Sequence, residues 1–142
     1  MTERLPIGRE CLDGLVGFLE VFEDPTFTFG QWSTPSSTDS GVISIPMFEF
    51  SEAGADFLDA VYKLGWVRSD FNWINWKSTP EAEQLKHDAD ALADATADQI
   101  AKLLTTLVRS ERFCEGALAS AFQSGFLTDI LRRARVLSSE FQ

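Results

Sequence analysis

At 142 residues, with 44% hydrophobic side chains, the chain has the length of one domain and enough apolar material for one ordinary core. Twelve Lys/Arg against 22 Asp/Glu give a formal charge of -10, which weakens attraction to nucleic acid and anionic membrane and favours a basic protein partner. One His and two distant cysteines, Cys11 and Cys114, do not assemble a zinc site of the usual kind, and no apolar run is long enough to cross a bilayer. With no basic-then-apolar leader, the expectation is a cytoplasmic protein without metal or cofactor, its cysteines small buried thiols.

Leu12, Leu15, Val16, Leu19 and Phe22 recur at helical spacing and predict a helix over 9–23, stopped by Asp24-Pro25. Gly14 and Gly17 lower its propensity and are read as points of close packing. Phe27, Phe29 and Trp32 then switch to strand spacing. With the apolar run Gly41 to Phe50 they predict a hairpin over 26–50, whose long loop runs from Ser33 to Ser40. Pro46 has no N–H for a ladder, which places that strand at an edge, and the hairpin must lie on helices to persist.

Ser51 is an N-cap with Glu52 behind it, and Phe57, Leu58, Val61, Tyr62 and Leu64 predict a helix over 51–65 with Gly65 at its C-terminal cap. Trp66 and Val67 continue into the core. The segment 66–78 is an irregular aromatic loop in which Phe71, Trp73 and Trp76 lie among polar residues. Trp rings there either wedge helices together or line a pocket, and the wedge is the plainer reading.

Thr79-Pro80-Glu81 opens a helical region over 79–137. Its first part has only Leu85 and Leu92 as large apolar anchors and is expected on the surface. Thr96 to Gln99 matches a capping box, and Ile100, Leu103, Leu104, Leu107 and Val108 form the strongest apolar stripe, expected to be the central core helix. After the charged stretch Arg109 to Gly116, Leu118 to Phe122 and Phe126 to Leu137 predict two short helices joined at Gly125. The resulting expectation is an α+β, mainly α, single domain over 1–142: about five helices with a small antiparallel β-hairpin packed on them. No internal repeat is present.

Several of these segments resemble the domain of unknown function 6508 family of bacterial proteins. The resemblance rests on Ile45-Pro46 with Phe48, Phe57 to Trp66, the paired Trp residues of Phe71 to Trp76, and Leu103-Leu104-Thr105 through Arg109. Arg112-Phe113-Cys114-Glu115-Gly116 with Gly125 nine residues later is its most specific part. It covers most of the chain from about Phe29 onward and implies one domain of this layout, with no activity attached. Similar proteins often have His where this sequence has Ala117, so any role for an imidazole beside Glu115 is missing.

Arg109, Arg112 and Glu115 form the best candidate constellation. On a continuous helix they share a face, and Glu115 can accept paired bonds from a guanidinium. One reading is an anion pocket beside Trp73 and Trp76; the other, favoured here, is an ion-pair staple at a helix junction, with Glu115 near the next helix's positive N-terminus. His87, alone among acids and without a nucleophile, is read as a surface residue. Acids are too numerous for any pair to specify a metal or general acid/base site. Arg132, Arg133 and Arg135 suggest a helix-turn-helix only weakly, because Phe126 to Asp129 is apolar and acidic where a recognition helix reads bases. No Gly-rich phosphate loop or nucleophile elbow occurs.

The leading functional expectation is therefore a non-catalytic acidic module whose surface at Glu81, Glu83, Asp88, Asp90, Asp94 and Asp98 engages a basic protein partner. One concrete form is an inhibitor of a nucleic-acid-binding protein, in the manner of phage counter-defence proteins. The charge distribution motivates it: residues 1–104 hold 7 Lys/Arg against 18 Asp/Glu, residues 105–142 hold 5 against 4. Direct nucleic-acid binding and membrane association are not expected. The alternative is a binder or enzyme for a small anionic ligand, using Arg109, Arg112 and Glu115 beside Trp73 and Trp76.

Overall fold

The first apolar stripe forms α1 (Arg9–Glu23), which buries Leu12, Leu15, Leu19 and Phe22. It lies along α8 (Phe126–Glu140), whose buried Leu127, Ile130, Leu131 and Ala134 face the same core. This computed structural model describes residues 9–32, 48–68, 71–114 and 116–140. Within them the chain is mainly helical, with one two-stranded antiparallel sheet, β1 (Gly30–Trp32) and β2 (Phe48–Phe50). Gly30 stands opposite Phe50 and Trp32 opposite Phe48.

The strands are shorter than the expected 26–50 hairpin. Asp24 Oδ1 accepts from both the N–H and the hydroxyl of Thr26, and Phe27 N–H bonds back to Asp24 O, so this part turns instead of pairing. Phe27 and Phe29 contribute rings rather than ladder bonds. They converge with Phe57 and Phe122 on Phe22, whose ring centroid lies 5.1 to 5.6 Å from all four. The expected loop from Ser33 to Ser40 and the strand positions Gly41 to Met47, with Pro46, lie outside the described residues.

In α2 (Glu52–Lys63), Ser51 caps the N-terminus, its Oγ accepting from Gly54 N–H at 3.0 Å and donating to Thr28 O at 2.6 Å. Phe57 and Val61 are fully buried beneath it. Gly65, at φ +83°, provides the left-handed turn that ends the helix, and Trp66 follows into the core with no exposed surface. Of the two glycines on α1, Gly14 does pack closely, since a Cβ there would meet Leu64 Cδ1 at 2.6 Å. Gly17 faces open space.

The described residues contain eight helices, where the periodicity predicts about five. Two local devices add helices that the periodicity does not show, and a third break, at Gly125, falls where it is expected. Asn72 caps a short α3 (Trp73–Trp76) within the aromatic loop, accepting from Asn75 N–H at 3.1 Å. Asp88 ends α4 (Pro80–His87) and starts α5 (Ala89–Ala93), its Oδ1 accepting from Asp90 and Ala91 N–H groups. Gly125, at φ +87°, separates α7 (Ala117–Gln123) from α8, and α8 has 15 residues, longer than the short helix expected.

The central helix is α6 (Ala97–Glu111), opened by the capping box: Thr96 Oγ1 accepts from Gln99 N–H at 3.1 Å and Gln99 Oε1 accepts from Thr96 N–H at 2.9 Å. It buries seven residues, including Ile100, Leu103, Leu104 and Val108. The same helix also buries the polar Thr105, which has no exposed surface.

Candidate functional site

The α6 helix stops at Glu111. Phe113 and Cys114 N–H groups both return to Ser110 O, and Gly116, at φ +90°, turns the chain into α7. Arg109, Arg112 and Glu115 therefore do not lie on one continuous helix, and Glu115 lies outside the described residues. The carboxylate that pins this junction is Glu111. Its Oε2 accepts from Gly116 N–H at 2.7 Å and its Oε1 from Leu118 N–H at 3.0 Å, so both oxygens serve the unsatisfied donors at the start of α7. Gly116 has no side chain to cap with, and a Cβ on it would meet the Trp32 ring at 2.9 Å.

The arginines lie to one side of this junction. Arg68, Arg109 and Arg112 line a cleft of about 370 Å³ with Phe71, Trp73, Ile74 and Phe113. No carboxylate is among the described residues that line it. Arg109 is half-buried and Arg112 exposed; Arg112 Nη2 reaches Tyr62 Oη only at 3.5 Å. Like charges gathered in one place repel one another, and an anion between them relieves that repulsion.

Arg68 is placed there by the core. Its N–H donates to Thr105 Oγ1 at 2.9 Å, and the Thr105 hydroxyl in turn donates to Trp66 O at 3.1 Å. One buried hydroxyl thus ties the segment after α2 to the middle of α6. The Arg68 Nε is buried without a partner, an arrangement that costs about 1–3 kcal/mol if nothing compensates it. Its backbone is fixed by the Thr105 bond, and no ion pair among the described residues engages its guanidinium.

The two Trp residues divide. Trp73 is half-buried in the cleft wall, its ring centroid 6.0 Å from that of Phe113 and 5.3 Å from Lys77 Nζ. Trp76 is buried, does not line the cleft, and donates through Nε1 to Glu81 Oε1 at 2.6 Å. Glu81 Oε2 accepts from Gln99 Nε2 at 3.1 Å, so this carboxylate ties α3 and α4 to α6. The Trp76 bond first, and then the Gln99 bond, hold the Glu81 carboxyl below its ordinary range.

The remaining acids of the expected partner surface are engaged to different degrees. Glu83 lies 3.2 Å from His87 and Asp98 lies 3.4 Å from Lys102, Asp88 caps α5, and Asp90 and Asp94 are exposed on and after that short helix. His87 is exposed, as read from the sequence. Cys11 is half-buried, its thiol donating to Leu64 O at 3.1 Å, whereas Cys114 is exposed, so the pair are not two buried thiols. Arg132 pairs with Asp129 on the exposed face of α8, and Arg133 Nε donates to Ala95 O at 2.7 Å, so one of the three α8 arginines ties that helix to a distant segment. Among the described residues no three His, Cys, Asp or Glu stand together to hold a metal, and no helix is long and apolar enough to cross a membrane.

A model for a family of unknown function, DUF6508, matches residues 7–140, nearly the whole chain. The chain belongs to that family. No curated protein and no solved structure matches it. In this DUF6508 protein Arg109, Arg112 and Trp73 line one cleft, and Trp76 is not among its lining residues. Arg68 and Glu111 were not singled out from the sequence. The Glu111-to-Gly116 spacing across a helix end was a usable signal for the second; nothing local marks the first.

Proposed function

We propose that this DUF6508 protein binds a small anionic ligand in the cleft between α3 and the end of α6, and that it acts as a binding protein without a reaction centre of its own. The observation that supports this reading is the set of three arginines lining one cleft with no carboxylate among its described lining residues. Guanidiniums present forked donors that suit phosphate and carboxylate oxygens. The cleft volume falls in the range of small-ligand sites, and no Ser, Cys or His nucleophile is among its described lining residues.

The acidic-partner reading keeps its exposed carboxylates, but four of the six have partners within the chain, which leaves less of that surface to a second protein. The two readings separate in one experiment. Thermal unfolding is followed with inorganic phosphate and pyrophosphate. At a hundredfold excess over Kd, ligand binding adds about 2.7 kcal/mol to stability, which is on the order of 8 °C for a chain of this size. Arg109→Ala and Arg112→Ala are expected to unfold near the parent temperature without ligand and to lose that rise. A rise that survives both replacements, or no rise with either anion, refutes the cleft as an anion site.

A further inference from the structure

Large apolar side chains on a surface stand out when they ring a polar site. Of the exposed large hydrophobics, Phe113 at 80% and Ile74 at 54% both border the arginine cleft. Neither is filling the core. Phe113 directly follows Arg112 and is held by the N–H to Ser110 O bond at 3.0 Å, so its ring is presented by a fixed turn. Its plane is tilted only 31° from that of Trp73 at 6.0 Å, and Lys77 Nζ lies over Trp73. The rings are too close to admit a third between them. They form a two-ring platform whose outer member is open to solvent.

Resting on the anion site argued above, we infer that the ligand is a phosphate ester carrying a flat aromatic ring, of the mononucleotide class, with its phosphate on Arg68, Arg109 and Arg112 and its ring stacked on Phe113. A free inorganic anion would leave the platform without a purpose in binding, while an aliphatic tail would gain nothing from its flatness. Stacking on an aromatic face adds affinity for any base, and the neighbouring cations reinforce it. The mononucleotide is preferred to a polymer on charge grounds. The cleft is a local basic spot on a chain of net charge -10, so a single phosphate meets the arginines, whereas a longer strand must lay further phosphates on acidic surface.

The test measures Kd by calorimetry for adenosine 5′-monophosphate, ribose 5-phosphate and inorganic phosphate, with the parent protein, Phe113→Ala, Phe113→Trp and Arg112→Ala. Phe113 is exposed, so its replacement leaves the fold intact. The nucleotide is expected to bind about tenfold or more tighter than ribose 5-phosphate, as one base on one ring provides. Phe113→Ala should bring the two to equal affinity and leave ribose 5-phosphate unchanged, Phe113→Trp should keep the preference, and Arg112→Ala should weaken both. Equal binding of the two esters by the parent protein, or a preference that survives Phe113→Ala, overturns the ring assignment while the anion site stands if ribose 5-phosphate still depends on Arg112. Failure of all three probes to bind overturns both. A single-stranded hexanucleotide binding more tightly than the mononucleotide overturns the choice of a small ligand.

Discussion

Replacing Glu111 by Ala tests whether the α6–α7 junction is held by that carboxylate. Two charge-assisted bonds are lost, at 2.7 and 3.0 Å, both to N–H groups at the start of a seven-residue helix. Bonds to a charged group make a net contribution of about 1.5–3 kcal/mol each. Glu111 is half-buried, and water can reach part of what the carboxylate vacates, so the combined loss is put at about 2 kcal/mol. For 142 residues this lowers Tm by on the order of 6 °C. Urea unfolding is the better assay, because a lower midpoint at unchanged slope isolates stability from changes in compactness. Arg112→Ala is the control, with an expected loss under about 0.5 kcal/mol, since that side chain is exposed and its bond to Tyr62 is long. A Glu111 variant within about 0.5 kcal/mol of the parent, or an Arg112 variant that loses as much as Glu111→Ala, refutes the assignment and returns the staple to the arginines.

Two further outcomes follow from the geometry. Glu81 has a folded pKa below its unfolded one, so its stabilising effect is present above the ordinary glutamate range and is lost as pH falls through the lowered value. The urea midpoint of the parent should exceed that of Glu81→Gln at pH 7, and the gap should close in acid; a gap constant down to pH 3 would contradict the Trp76 and Gln99 bonds. Gly54→Ala should destabilise by about 1 kcal/mol or more, although Ala is ordinarily favoured over Gly inside a helix by about that amount. The reason is that its Cβ would lie 2.4 Å from Phe29 O, a backbone atom, and a stabilised Gly54→Ala protein would show that the turn into β1 yields freely.

The parts legible from sequence are those written in local chemistry. Ser51 and Thr96 cap their helices through side chains three residues from their partners, and the stripes of α1 and α6 bury most of the residues their period picks out, with Val16 and Leu107 only half-buried. The family resemblance was legible from the same kind of short-range pattern around Arg112 to Gly116, and the family match covers it. What escaped depends on contacts between distant segments or on a side chain's choice between two local roles. Arg68 reaches the cleft through Thr105, 37 residues away, and no spacing announces that. Asp88 reads equally as one more acid on a helix face or as a cap that ends one helix and begins another, and the second role won. Glu111 serves the next helix because α6 ends at that residue, and the sequence carries no mark of where α6 ends.

The break at Asp88 also bears on where the molecule opens first. It divides the acid-rich segment into helices of eight and five residues, each too short to hold its own hydrogen bonds in water, and each anchored by one large buried side chain, Leu85 or Leu92. Excursions from the native state therefore begin there at a fraction of the global unfolding cost, and amide exchange in 80–93 runs ahead of α6 and α8. Because Glu81 ties this segment to Trp76 at the end of α3, its opening frees one of the supports on which α3 rests, and the arginine cleft, walled by Trp73 of the same helix, inherits the motion of its least stable neighbour.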